Sequence, residues 1–465
     1  MSAEGMEAHL TRRPNVERIL PGARSTGSTL ATIAGALAYA GTLHWVFTTK
    51  VSPLFGYLGY TSREPVWQFY LVTLLMAILV ALALPSRISR TSDFMLWLLF
   101  LMVIAPSMFV AQYSRIVSPR VGLTTSLAIG AAALLTIAIA RSVRFRALPR
   151  INLSPTSFWL LIGAFSAVVY GYLTLTVGLQ IRLVGILDVY DLRDEYRSQL
   201  AAVGGPLGYL VAWQGNVVNP AIVVWGVFRR RWAPVILGSF GQLLLFSATG
   251  FKTFMLSIPA VLVIQFLFRS RFTSNGSLYA WAAAAFSLCC VALDQVMNSI
   301  TLTSLFVRRL LLTPGMLTAI YVRFFSENPK LYLSHSIAHG WMTYPYDVPY
   351  GEVVGEYMTG RRGVSMNANV YADGFANAGW WGVGISAVLL GLLLALLDSA
   401  SKGLPLAVCA GMVLMPSITL ANSALFTSIW SHGVGLVIVM LAVAPRSGWP
   451  RRPDPGSADG SSGGS

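Results

Sequence analysis

Apolar runs of membrane-spanning length recur from end to end of this 465-residue chain, with short polar segments between them. A helix that crosses a bilayer needs roughly 20 mostly apolar residues. Runs of this kind predict helices over 27–47, 65–85, 92–111, 121–140, 155–178, 205–227, 232–250, 253–268, 277–297, 380–397, 404–421 and 426–444, about twelve in all. The closely spaced pairs, 232–250 with 253–268 and 404–421 with 426–444, are expected to be hairpins or to include a re-entrant member. Two polar segments, 179–204 and 298–379, are too long for turns. The expected fold class is therefore an all-α polytopic membrane protein with a large outer loop, carrying short helices, between the ninth and tenth helices. Three regions follow: a polar tail over 1–26, a membrane domain over 27–445, and a Pro-, Gly- and Ser-rich tail over 446–465, expected to be disordered.

Composition sharpens this reading. Hydrophobic residues make up 55% of the chain and charged residues only 11%. A soluble domain carries about 25% charged residues, so an ordinary soluble enzyme is excluded, and so is a disordered basic protein. The 33 basic and 18 acidic residues leave a net charge of +15. That excess is read as topology and lipid contact, with no nucleic acid partner. With the N-terminus inside, the cytoplasmic segments hold Arg87 and Arg90, the four arginines of 141–150, the Arg229–Arg230–Arg231 triplet, Arg269 and Arg271, and Arg446. The short outer loops carry few, such as Lys50 and Arg63. By the positive-inside rule both termini are cytoplasmic and both long segments face outward. The first apolar run has no small-residue cleavage site after it and is expected to be a retained helix. Cys289, Cys290 and Cys409 lie in apolar runs and read as small packing residues.

Candidate chemistry gathers on the outer side. In 179–204, Asp188, Asp191 and Glu195 share one helical stripe and Arg193 and Arg197 another. The plain reading is a solvated surface helix; the functional one uses the two arginines as a fork for a phosphorylated lipid. A metal on the carboxylate stripe would compete with those arginines, and none is expected. Lys252 lies between two membrane helices with almost no loop. It either snorkels to the interface or serves a site, and Asp294 is a candidate partner.

The 298–379 segment is richest. Arg308 and Arg309 precede a Thr-Pro-Gly break at 313–315, and an aromatic stretch with Tyr321 and Arg323 follows. This is amphipathic material suited to the outer leaflet. His335 and His339 are four apart and could face one way, but no third metal ligand is evident, so base or substrate-binding use ranks above zinc. Asn367, Asn369, Asp373 and Asn377 then predict a compact polar loop before the next helix, suited to sugar hydroxyls or simply to local turn bonds. There is no Walker loop, no His-Glu-x-x-His and no Gly-x-Ser-x-Gly.

The order DVYDLRDEYR, VVNPAIVVWGVF, GFKTFMLSIPA, RRLLLTPGMLTAIYVRFFSENPKLYLSHS and NANVYADGFANAGWWGVGI resembles the O-antigen polymerase (Wzy-type) family of oligosaccharide repeat-unit polymerases, over residues 185–400. The resemblance implies a multispanning glycosyltransferase of the GT-C type at the outer face of the bacterial inner membrane. Such an enzyme polymerises undecaprenyl-diphosphate-linked repeat units into a surface polysaccharide, with no metal or other cofactor. Its donor and acceptor are both lipid-diphosphate oligosaccharides, and a chain-length regulator is a further partner. Carried over, Arg193, Arg197, Lys252, Arg308 and Arg309 meet diphosphate. His335 is the base or acceptor-binding residue with His339 behind it, and Tyr321, Arg323, Asn367 and Asp373 contact substrate. An O-antigen ligase differs only in acceptor and stays open, as does a polysaccharide or lipid-linked sugar transporter. A transporter would favour charges buried mid-helix and paired halves, and the chain shows no internal repeat.

Overall fold

The computed structural model describes residues 25–145, 151, 153–178, 189–203, 205–268, 275–336 and 338–446. The tail readings, and that for Asp188, fall outside these residues. The described chain is built of helices, and nine of the described helices are long and apolar enough to cross a membrane. The architecture is that of an all-α, multi-pass membrane protein.

The first four membrane helices are α1 (Thr26–Val46), α2 (Trp67–Ala83), α3 (Thr91–Tyr113) and α4 (Pro119–Ser142). Cross-contacts fix their directions. Tyr39 donates to the Leu101 carbonyl at 2.6 Å and His44 stacks on Tyr113 at 4.9 Å, so α1 and α3 run parallel. Tyr70, at the start of α2, packs on His44 and Phe109, so α2 runs back. The end where α1 and α3 finish is called the far side, and the end where they start the near side.

Next come α5 (Pro155–Thr176), the amphipathic α6 (Val189–Val203), α7 (Leu207–Phe228), α8 (Trp232–Thr249), α9 (Lys252–Leu267) and α10 (Ser277–Val296). Trp281 of α10 donates to Ala31 of α1 at 3.1 Å. The predicted hairpin of α8 and α9 is present, with Gly250 and Phe251 alone between them. A small second core of Val169, Leu173, Tyr196, Leu207, Val211 and Leu245 seats α6 on this part of the bundle.

The 298–379 segment departs from expectation. It contains α11 (Thr303–Glu327), a continuous helix, where a Thr-Pro-Gly break was predicted. Its length and composition would let it cross a membrane, but both ends are tied to the far side. Thr303 N–H donates at 2.6 Å to Asp294, at the end of α10, and Arg323 donates at 3.2 Å to the Ile116 carbonyl between α3 and α4. The segment therefore leaves and returns on one side, as its polarity suggested.

Proline explains the missing break. The four described π-helical stretches are Phe47–Val51, Phe100–Ile104, Gln214–Val218 and Thr303–Leu312. Each runs directly into a helical turn carrying proline: Pro53, Pro106, Pro220 and Pro314. A proline ring clashes with the carbonyl four residues back and has no N–H to give it. Widening the preceding turn relieves the clash without ending the helix. Gly315 then lets α11 touch α3, because a Cβ there would overlap the Pro106 carbonyl.

The chain finishes with α12 (Tyr350–Thr359), α13 (Val370–Ser401), α14 (Leu406–Leu420), α15 (Leu425–Trp430) and α16 (Val434–Val443). The predicted polar loop is confined to the residues before Val370, and its remainder, with Asp373 and Asn377, is instead the start of α13. Asn369 caps it, accepting from the Tyr371 and Ala372 N–H groups at 3.0 Å each, the role asparagine fills at helix starts. A kink at Ala378 and Gly379, the latter at φ 59°, separates this polar turn from the membrane portion. Near-side ends meet where Ser92 donates to Asp398 through both its N–H, at 2.8 Å, and its hydroxyl, at 2.6 Å.

Candidate functional site

A cavity of about 700 Å3 opens on the far side. Three elements bring basic residues to it. Helix α6 contributes Arg193 and Arg197, one turn apart; α9 contributes Lys252 in its first turn; α11 contributes Arg308 and Arg309. Among the described residues that line it there is no carboxylate and no histidine. Below the basic lip the wall is apolar, with Leu256 and Ala260 of α9, Leu317 and Ile320 of α11, and Met415 and Ile418 of α14. Ser365, Met366 and Asn367 form a strap along one edge.

Arg308 is the best defined of these groups. Only 7% of the residue is exposed. Ser304, one turn back, accepts from Nε at 3.2 Å and from Nη2 at 2.8 Å. The guanidinium carbon lies 4.1 Å from the Phe55 ring centroid and 5.6 Å from that of Tyr60. Tyr60 is itself held by a 2.7 Å hydrogen bond to Thr313. Among the described residues no carboxylate lies within 4.0 Å of Arg308. A desolvated cation over aromatic faces gains about 2 kcal/mol, well short of the cost of a buried charge without a counter-ion. An anion in the cavity would complete the arrangement. Arg193 is set on the same lip, over the Phe251 ring at 5.3 Å, and donates to the Gly250 carbonyl at 3.2 Å. Asp294, a candidate partner for Lys252, turns its two oxygens to the backbone N–H groups of Leu302 and Thr303.

His335 stands apart. Residues 331–336 and 338–342 form irregular turns, so the four-residue spacing of His335 and His339 does not make a shared helical face. His335 is half-buried, and His339 is exposed. The His335 ring packs on Tyr350 at 4.7 Å, and its Nε2 lies 3.8 Å from Oδ1 of Asp373, too long for a hydrogen bond. Burial pushes the imidazole down to about 4, so it is neutral at pH 7 and the contact is not an ion pair. Tyr350 donates to the same Oδ1 at 3.4 Å; burial first, and Asp373 second, hold its phenol protonated. This cluster reaches the cavity through Tyr321, whose ring is 6.1 Å from Tyr350 and whose hydroxyl donates to the Met366 carbonyl at 2.7 Å.

One consequence concerns stability. The unfolded chain protonates His335 near pH 6.5, and the folded chain near 4. Between these values the unfolded state binds the extra proton, so stability falls as pH drops through this window. Asp373, whose carboxyl burial raises to about 7, acts in the opposite direction over the same window. The loss is therefore expected in the comparison with His335→Phe, which keeps a ring against Tyr350: in thermal unfolding in detergent from pH 7 to 4, the variant is expected to gain stability relative to the wild type.

Of the residues singled out in the sequence, Arg193, Arg197, Lys252, Arg308, Arg309 and Asn367 line one cavity. Tyr321, His335 and Asp373 form the adjoining cluster. Arg323 is a clamp between α11 and the α3–α4 connection, also lying 5.7 Å from the Tyr357 ring centroid. His339 belongs to neither group. Sequence reasoning missed Tyr60 and Phe55, which cradle Arg308 from a loop more than two hundred residues away. It also missed the apolar wall from α14. Among the described residues no group of three or more His, Cys, Asp or Glu is placed to hold a metal ion. Comparison with family models, curated proteins and solved structures finds no match.

Proposed function

We propose that this chain polymerises lipid-diphosphate-linked oligosaccharide repeat units into a surface polysaccharide. In this reading the far side is the outer face of a bacterial cytoplasmic membrane, and both termini lie on the cytoplasmic side of about twelve helices. The observation that carries it is the convergence of Arg193, Arg197, Lys252, Arg308 and Arg309 on one cavity whose deeper wall is apolar. A lipid diphosphate has that same polarity, a multiply charged head on a hydrocarbon chain. Cleaving the sugar–phosphate C–O bond leaves its electron pair on the diphosphate, and fixed cations stabilise that charge as it develops. The acceptor sugar hydroxyl attacks the anomeric carbon, and its proton goes to His335, whose neutral imidazole is the basic form. The donor carries its own leaving group, so no nucleotide is needed.

The test is reconstitution in vesicles with a lipid-diphosphate oligosaccharide, read by the length of the glycan. Elongation is expected from the wild type. His335→Ala is expected to lower the rate by about a hundredfold with little change in donor binding, whereas lip variants weaken both. The acid limb of the wild-type rate is expected near pH 4. Transfer of finished glycan to another lipid acceptor without elongation would indicate a ligase. Solute movement without glycan transfer would overturn the enzyme reading.

A further inference from the structure

A second cavity, of about 410 Å3, lies on the near side, where α7 turns into α8. Its walls are apolar, formed by Val227, Val235, Leu262 and Phe266, and its mouth carries Arg230, Arg231 and Trp232. The turn is built to hold the arginines there. Arg231 N–H donates to the Gly226 carbonyl at 2.8 Å and Arg230 N–H to the Val227 carbonyl at 3.2 Å. Arg230 takes φ 55°, the left-handed position that usually ends a helix with glycine. An arginine there costs backbone strain that glycine would avoid. Among the described residues no carboxylate lies within 4.0 Å of either guanidinium. Trp232 is 76% exposed and Phe266 72%, so the groove opens toward the hydrocarbon around the bundle.

We infer that this near-side cavity binds one anionic phospholipid, with an acyl chain along Leu262 and Phe266 and its phosphate between Arg230 and Arg231. A topological anchor needs positive charge on this side, but it needs neither an apolar slot nor two arginines without a carboxylate partner among the described residues at its mouth. Basic pockets between membrane helices recognise anionic headgroups by that combination. Only a molecule both charged and apolar satisfies both parts, and the bilayer supplies one at this depth. The site is remote from the far-side cavity and independent of the reading given to it.

The test uses the full chain in mild detergent, with native mass spectrometry of bound phosphatidylglycerol against phosphatidylcholine. The wild type is expected to retain phosphatidylglycerol at least tenfold better. Arg230→Gly with Arg231→Gln is expected to abolish that preference; glycine suits the left-handed turn, so folding is not the variable. Leu262→Trp, which fills the slot and leaves both arginines, is expected to reduce retention of phosphatidylglycerol by a similar factor. Equal retention of the two lipids by the wild type, or undiminished phosphatidylglycerol in either variant, would overturn the inference.

Discussion

Arg308→Ala is expected to slow glycan elongation by about a hundred- to a thousandfold, the loss seen when one fixed donor to a developing oxyanion is removed. The same variant is expected to insert normally and to melt no earlier than the wild type. The two results are linked by one feature, the burial of a guanidinium that is 7% exposed and has no carboxylate partner among the described residues. In the resting protein that charge is a liability, eased by Ser304 and the Phe55 ring but not neutralised. Removing it relieves desolvation and sacrifices some packing. In the proposed transfer the same charge would face the departing diphosphate at low dielectric, where it acts most strongly. Arg308→Lys is expected to fall between the two, because an ammonium keeps the charge but not the fork held by Ser304 or the flat contact on Phe55. The measurements are elongation rate in vesicles and the melting temperature of the purified protein. A melting temperature lowered by ten degrees or more, with residual activity tracking folded protein, would make Arg308 a structural residue and remove it from the site.

How much of this was legible beforehand can be judged from the same residues. The membrane helices follow from hydrophobic runs alone, because a run long enough to span has few other solutions. The basic lip was legible as a list, since charged groups beside membrane segments stand out against an apolar background. Their convergence was not. Arg193 and Arg308 meet only because α6 docks on a small core of its own and α11 turns back into the far half of the bundle. Nothing in local pattern encodes that second event. The error over Thr313–Gly315 is instructive. A proline after a helical run reads as a stop, yet four prolines here follow widened turns that carry the helix on. The spacing cue is hard to see because π and α turns differ by one residue. The histidine pair shows the opposite limit: a four-residue spacing implies a shared face only on a helix, and residues 331–336 and 338–342 are irregular turns.

The strap over 364–367 leads to the second strong expectation. Gly355, on α12, faces it so closely that a Cβ would overlap the Val364 carbonyl. The strap is pinned on both sides: Met366 N–H donates to the Gly351 carbonyl at 2.8 Å, and the Met366 carbonyl accepts from Tyr321 at 2.7 Å. It carries Ser365, Met366 and Asn367 along the cavity edge, and through Tyr321 it contacts the cluster of Tyr350, His335 and Asp373. Gly355→Ala adds one methyl group and favours the helix by about 1 kcal/mol on propensity. It must nonetheless drive the strap away from α12, a shift on the order of 1 Å for ordinary contact. A displacement of that size at reacting groups costs about a hundredfold in rate, and here it would break the hydrogen bond that ties the cavity edge to Tyr321. Elongation by Gly355→Ala is therefore expected to fall about a hundredfold. Gly163→Ala, where a Cβ meets nothing within 4 Å, is expected to leave it unchanged. Hydrogen exchange reads the cause directly, because the Met366 amide should lose protection in the first variant and keep it in the second. Unchanged elongation with a deprotected Met366 amide would mean that the strap is not part of the site, and that the lip works without the cluster behind it.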